Sequence, residues 1–219
     1  MTFYSAHSVN LLQGVSTILS MRCPACRQIG TLESFGTVDI QVFSDAQSLR
    51  LGHRRCPNPT CHTHVFVVFD PLTNSVVTSY PPEVIDFDST NVPTKVVEAL
   101  EEAITCHANQ CHIAAAIMVR KTLEELCADR GAQGSNLKER IRAIGGKVVL
   151  PQELLDGLDD LRLLGNDAAH IESNAYDSIG REEVEVGIDF AKEVLKGVYQ
   201  MSALLARLRG LKAQPQQTT

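Results

Sequence analysis

The hydrophobic period of the chain changes near residue 93. Before that point apolar residues come in short alternating or continuous runs. Thr37-Val38-Asp39-Ile40-Gln41-Val42-Phe43 alternates with period two, and Val65-Phe66-Val67-Val68-Phe69 is an apolar run closed by Asp70-Pro71. Both patterns predict strands. Tyr80-Pro81-Pro82 is a breaker, so residues 71–92 are expected to be a linker. From Pro93 onward apolar residues recur every three to four positions. Pro93 suits a first helical turn, and Val96, Val97, Leu100, Ala103, Ile104 and His107 make one face. A second helix is expected over about 110–129, ending before Gly131 and Gly134. A short third, over 136–144, stops at Gly145-Gly146, and Pro151 opens a fourth that reaches about His170. The last, over 181–210, carries a stripe of Val184, Ile188, Ala191, Leu195, Val198, Met201, Leu205 and Leu208. Long helices with short connections predict a bundle.

The N-terminal region is too small to supply much hydrophobic core, and its cysteines suggest what replaces it. Cys23-Pro24-Ala25-Cys26 is C-x2-C and Cys56-Pro57-Asn58-Pro59-Thr60-Cys61 is C-x4-C. Each pair forms a tight turn that can present two thiolates to one tetrahedral zinc ion. Strand pattern lies between and after the pairs, which is the plan of a zinc ribbon. Cys23, Cys26, Cys56 and Cys61 are therefore the expected ligands of a structural zinc, whose binding would contribute much of the folding free energy. His53, His62 and His64 are possible substitutes, His62 above all because it adjoins Cys61. Arg50, Arg54 and Arg55 precede the second pair, either as exposed residues of a purely structural clip or as contacts to nucleic acid.

The expected fold class is α+β, with a small N-terminal β zinc ribbon followed by a mainly α, four-helix bundle. Residues 1–20 read as an N-terminal extension, 21–70 as the ribbon, 71–92 as the linker, 93–210 as the bundle and 211–219 as a flexible tail. Met21 stands directly before the first cysteine pair, and residues 1–20 could lie upstream of the native start.

Composition narrows the function classes. The chain has 219 residues, 44% hydrophobic, with a net charge of −6. Residues 1–92 carry five Arg and seven acids, and 93–219 carry fifteen basic and nineteen acidic residues. Neither part has the basic surplus of a dedicated nucleic-acid binder, so any RNA contact must be local. The cluster Lys138, Arg140, Arg142 and Lys147 is interrupted by Glu139 and reads as a solvated helix face. Aromatics make up 5% and Trp is absent, which argues against a base-stacking platform. Seven cysteines, an odd number, with no positively charged region before the apolar stretch Leu11–Met21, point to metal rather than disulfides and to a reducing, cytoplasmic compartment. That stretch is also too short and polar to span a membrane.

Two strings in the helical region carry candidate chemistry. In the first, Arg120 falls within a stripe of Ile113, Ala116, Ile117, Leu123 and Cys127. A charge on a core-facing stripe must be paired, and Glu124, one turn on, is the nearest partner. The alternative is a charge pointing into a cleft. In the second, Arg162, Asn166 and His170 are spaced i, i+4, i+8 and form a polar ridge beside a core face of Leu154, Leu158, Leu161 and Ala168. Gly165 lies within that face and would let another backbone approach closely.

The string Arg-Leu-Leu-Gly-Asn-x-Ala-Ala-His over 162–170, the Arg-Lys-Thr-Leu-Glu string over 120–124 and the N-terminal cysteine pairs together resemble domain of unknown function family 4145, of the HEPN superfamily of helical bundles. The resemblance covers roughly residues 80–210 and implies a HEPN-like four-helix bundle. It also implies a setting in restriction or antiphage defence, and homodimerisation through the bundle. HEPN ribonucleases carry R-x4–6-H and cut RNA without metal. The resemblance therefore implies His170 as general acid/base, Asn166 as the accompanying polar residue and Arg162 as a phosphate clamp. The sequence departs from the motif: Gly165 stands where R-N-x3-H would place Arg, and Arg162 lies roughly 12 Å from His170 along the helix axis. Two functions follow. One is a non-catalytic module binding RNA, a nucleotide or a defence-system protein through the ridge. The other is a metal-independent dimeric endoribonuclease using Arg162, Asn166 and His170.

Overall fold

Strands fill the N-terminal part of the chain and helices the rest. The computed structural model describes residues 8–11, 17–35, 38–43, 48–169 and 179–212. It divides into two units, Met1–Asp86 and Phe87–Thr219.

The first unit is a mixed-register antiparallel sheet of β1 (Ser8–Leu11), β2 (Leu19–Arg22), β3 (Ile29–Ser34), β4 (Ile40–Phe43), β5 (Ser48–Arg55), β6 (His64–Phe69) and β7 (Val76–Tyr80). β5 is the hub. One of its edges pairs with β6 along Arg50–Arg55, and β6 pairs in turn with β7. Its other edge pairs with β4 over Ser48–Leu51 and with β3 at Arg54 and Arg55. β2 extends β3, and β1 extends β4. Leu19, Met21, Leu32, Val65, Val67 and Phe69 form the core, with Val76 against it. The apolar run on β6 thus splits by strand alternation: Val65, Val67 and Phe69 point inward, while Phe66 stays 60% exposed.

A charge lies inside this unit. Arg54 is completely buried and grips Asp39, also completely buried, through Nη1–Oδ1 at 2.8 Å and Nη2–Oδ2 at 2.9 Å. Its guanidinium also lies 5.4 Å from the Phe69 ring centroid. Gly52, two residues back on the same face of β5, leaves the room: a Cβ there would fall 2.3 Å from Asp39 Oδ1 and 2.4 Å from Arg54 Nη1. Arg54 is therefore neither an exposed residue nor a nucleic-acid contact, as the arginine run suggested. The reason is strand alternation, which turns Arg54 inward and Arg55 outward.

Two expected boundaries also move. Residues 1–20 were expected to be an extension, yet β2 starts at Leu19 and Leu19 is fully buried in the core. Residues 71–92 were expected to be a linker, yet they contain β7. Their last part belongs to the second unit, where Gln200 Nε2 donates to the carbonyls of Asp88 (2.8 Å) and Thr90 (3.2 Å).

The second unit contains α1 (Thr94–Ala108), α2 (His112–Asp129), α3 (Leu137–Ile144), α4 (Gln152–Ala169) and α5 (Arg181–Leu195), which passes through a π-helical turn (Lys196–Gln200) into α6 (Met201–Lys212). Helix ends follow local chemistry. Asn136 caps α3 by accepting from Glu139 N–H at 3.0 Å, and Glu139 Oε2 accepts in return from Ser135 N–H at 2.8 Å. α2 is central and packs against α1, α3, α4 and α5. Tyr199, in the π turn, donates its hydroxyl to Asp129 at the end of α2 (2.8 Å), and Arg130 covers the ring at 4.1 Å. The last helical stripe is buried from Val184 to Val198 and then emerges, with Leu204 59% and Leu208 53% exposed. Among the described residues no helix is long and apolar enough to cross a membrane.

The buried pair gives a stability test. Asp39→Ala would leave the Arg54 cation without its counter-charge in a dry site, and should cost about 3–5 kcal/mol in urea denaturation followed by circular dichroism. An unchanged midpoint would show that Arg54 reaches water in solution.

Candidate functional site

Two turns bring the four N-terminal cysteines together. The first joins β2 to β3: Cys23 N–H donates to Gln28 O (3.0 Å), Arg27 N–H donates to Cys23 O (2.9 Å), and Arg27 takes a positive φ of 60°. The second joins β5 to β6: Cys56 N–H donates to Thr63 O (2.9 Å), Cys61 N–H donates to Asn58 O (3.0 Å), and His62 sits at φ 51°. Asn58 braces both turns. Its Oδ1 accepts from Thr60 N–H at 3.0 Å and its Nδ2 donates to Gln28 Oε1 at 3.1 Å.

The ligand atoms of Cys23, Cys26, Cys56 and Cys61 all lie within 4.8 Å of one another. Cys23 Sγ is 3.8 Å from Cys61 Sγ, and Cys26 Sγ is 3.7 Å from Cys56 Sγ. A zinc ion with four sulfurs at about 2.3 Å has a tetrahedral edge of about 3.8 Å, whereas a disulfide is about 2.05 Å. All four are free cysteines, and the arrangement is compatible with zinc. His53, His62 and His64 are not in the cluster.

The thiols differ in acidity. A contact from Thr63 Oγ1 at 3.1 Å, together with the Thr63 backbone, lowers Cys61 to about 6. Burial pushes Cys56 up to about 12 and raises Cys23 as well.

The second candidate lies on α4. Arg162 Nε donates to Asp159 Oδ1 at 2.6 Å, and the Arg162 side chain is only 14% exposed. The same contact holds the Asp159 carboxyl below its usual range. Asn166 is half-buried one turn on. His170 lies outside the described residues. The i−3 spacing of Asp159 is the sequence signal for this partner, which the i, i+4, i+8 ridge does not include.

Gly165 faces α2. A Cβ on it would lie 2.3 Å from Arg120 Cβ and 2.9 Å from the Ala116 carbonyl oxygen. The backbones therefore approach as the sequence suggested. Arg120 crosses this bare position, with Nε 3.4 Å from Glu124 Oε1 and Nη1 donating to Arg162 O at 3.4 Å. Its side chain is 25% exposed, so it borders the core instead of lying within it. The expected stripe would have set it deeper, with Ile113 and Ile117 in the core. They are 59% and 38% exposed, and Ala115, Val119 and Leu126 are buried in their stead.

The family model for a domain of unknown function (DUF4145) matches residues 101–210, from α1 through most of α6. The chain belongs to this family. The DUF4145 region therefore includes Arg120, Arg162, Gly165 and Asn166, while the four clustered cysteines precede it. No curated protein and no solved structure matches the chain.

Two outcomes follow. Purified protein should carry one zinc per chain by elemental analysis. Cys26→Ser should lower that content, and acid should release the metal as the thiolates are protonated. Zinc well below stoichiometry in protein whose N-terminal unit still resists protease would overturn the assignment. In the DUF4145 region, Gly165→Ala should destabilise by about 1–3 kcal/mol through overpacking, although alanine is the better helix former. Arg120→Ala should cost only about 1 kcal/mol or less, as for a partly exposed ion pair. Thermal melts showing the reverse order would place the close contact at Arg120 and not at Gly165.

Proposed function

We propose that this DUF4145 chain is a defence-associated binding module. A zinc ribbon with a structural zinc on Cys23, Cys26, Cys56 and Cys61 is joined to a HEPN-like four-helix bundle. The ridge on α4 holds RNA, a nucleotide or a protein partner and does not cleave RNA. The defence setting rests on the resemblance of the 120–124 and 162–170 strings to HEPN proteins of restriction and antiphage systems.

The observation that carries the non-catalytic reading is the contact at Gly165. The HEPN motif would place a phosphate-clamping Arg at that position. Here a single Cβ would already strike Arg120 Cβ and the Ala116 carbonyl, so the packing of α4 on α2 excludes any side chain. Arg162, the remaining cation of the ridge, is neutralised by Asp159 at 2.6 Å. A guanidinium engaged in this way stabilises little new charge on a phosphate.

The homodimer belongs to the same proposal. Met201, Leu204, Leu205, Leu208 and Leu211 are exposed along α6, continuing the stripe that is buried in α5. A second copy would cover that stripe across a two-fold axis.

Single-stranded RNA incubated with the zinc-loaded wild type in buffer without added divalent metal should remain intact. Metal-independent cleavage lost in His170→Ala would establish the endoribonuclease reading with Arg162, Asn166 and His170. Light scattering should give a dimer, and Leu204→Glu with Leu208→Glu should give a monomer of unchanged helicity. A wild-type monomer would remove the two-fold arrangement.

A further inference from the structure

The few aromatic residues of this chain are not scattered. Strand register places several of them together on the outward face of the N-terminal sheet. His53 on β5 pairs with Phe66 on β6, and Phe66 pairs with Tyr80 on β7. Directly paired residues project to the same side of a sheet, so these three rings form a row across three strands. The His53 and Phe66 rings stack, with centroids 4.9 Å apart and planes 17° apart. Phe66 is 60% exposed and Tyr80 is 74% exposed.

The rows on either side differ in chemistry. Toward the cysteine turns, Arg55 pairs with His64. Arg55 lies 4.5 Å over the ring of Phe35, which is 41% exposed. His64 Nδ1 is 2.8 Å from His53 Nε2. Glu33, opposite Arg55 on β3, is the acidic residue of this row. On the other side, Ile40, Leu51, Val68 and Thr78 line an apolar groove of about 550 Å³ that also touches His53, Phe66 and Tyr80.

We propose that this face binds single-stranded nucleic acid, stacking unpaired bases on Phe66 and Tyr80 and placing a backbone phosphate at Arg55. The sequence of rows is the argument. Exposed ring faces give affinity for any base. A guanidinium one row away, beside imidazole nitrogens, complements the phosphate that each base carries. The apolar groove accepts a base pushed past the rings. A duplex hides its base faces and would gain only the Arg55 contact, so the face selects unpaired strands. This site lies on the sheet and is independent of the α4 ridge.

The test uses the full zinc-loaded chain and fluorescence anisotropy with labelled oligo(U), oligo(dT) and duplex of about 12 nucleotides. Both single strands should bind, and the duplex should bind roughly ten-fold more weakly or not at all. Phe66→Ala and Tyr80→Ala should each weaken binding by roughly ten-fold, and Phe66→Trp should restore it. Arg55→Gln should reduce the salt dependence by about one phosphate contact. Binding that persists at wild-type strength in folded Phe66→Ala would assign the strand to the α4 ridge and overturn the proposal. Zinc content and thermal melts equal to wild type establish that the variants are folded. No binding by the wild type, equal binding by folded Phe66→Ala, or equal affinity for duplex would each overturn the proposal. So would a Phe66→Ala variant that merely turns a self-associated wild type into a monomer, because the face would then join two copies.

Discussion

Arg54 has no exposure, and a guanidinium in that position must meet a carboxylate or destabilise the unit that holds it. Asp39 meets it with two hydrogen bonds, from the segment just before β4 to the hub strand β5. That requirement sets the orientation of β5. With Arg54 inward, Gly52 must also face inward and remain a glycine, while Leu51, His53 and Arg55 turn out. The outward rows, the proposed platform and the groove all descend from which side Arg54 takes. The same register delivers β5 into the turn that carries Cys56 and Cys61. The cluster of four thiols answers a separate shortage, since a small unit has little hydrophobic core of its own.

The helical unit has its own constraint of the same kind, steric instead of electrostatic. α4 comes so close to α2 at Gly165 that no side chain fits. This contact brings Arg120 beside the Arg162 backbone and leaves both cations with carboxylates of their own helices, Glu124 and Asp159. Cations already paired at 2.6 and 3.4 Å are poor at taking on a second negative charge in a reaction. They can still order a surface for recognition. The glycine that departs from the ribonuclease motif is therefore accounted for by packing, and the proposed non-catalytic role follows from it.

The two units suggest a division of labour in the proposal. The sheet reads a ligand through ring faces and one guanidinium. The helices supply apolar surface, since the stripe of α5 continues exposed along α6. Low overall basicity agrees with this arrangement: stacking supplies affinity without many cations, and few phosphates need be neutralised.

Features encoded by neighbours along the chain were legible from sequence. α2 to α4 begin and end within a few residues of the expected positions, because capping, glycine and proline act locally, whereas the helix expected over 181–210 is interrupted by a π-helical turn at Lys196–Gln200. The C-x2-C and C-x4-C spacings named the four cysteines that cluster, because a tight turn of that length has little choice of where to point its thiols. What depended on partners distant in sequence was not legible. Asp39 and Arg54 are separated by 15 residues and meet only through the β4–β5 register. β5 lies in the stretch expected to hold strands but its own pattern does not single it out, because Gly52 and the buried Arg54 interrupt the apolar alternation. The His53–Phe66–Tyr80 row exists only once three strands are in register. Local spacing determined the helices and the thiol cluster; tertiary pairing decided which strand residues face inward, because that choice depends on the apolar core and the counter-charge that distant strands supply.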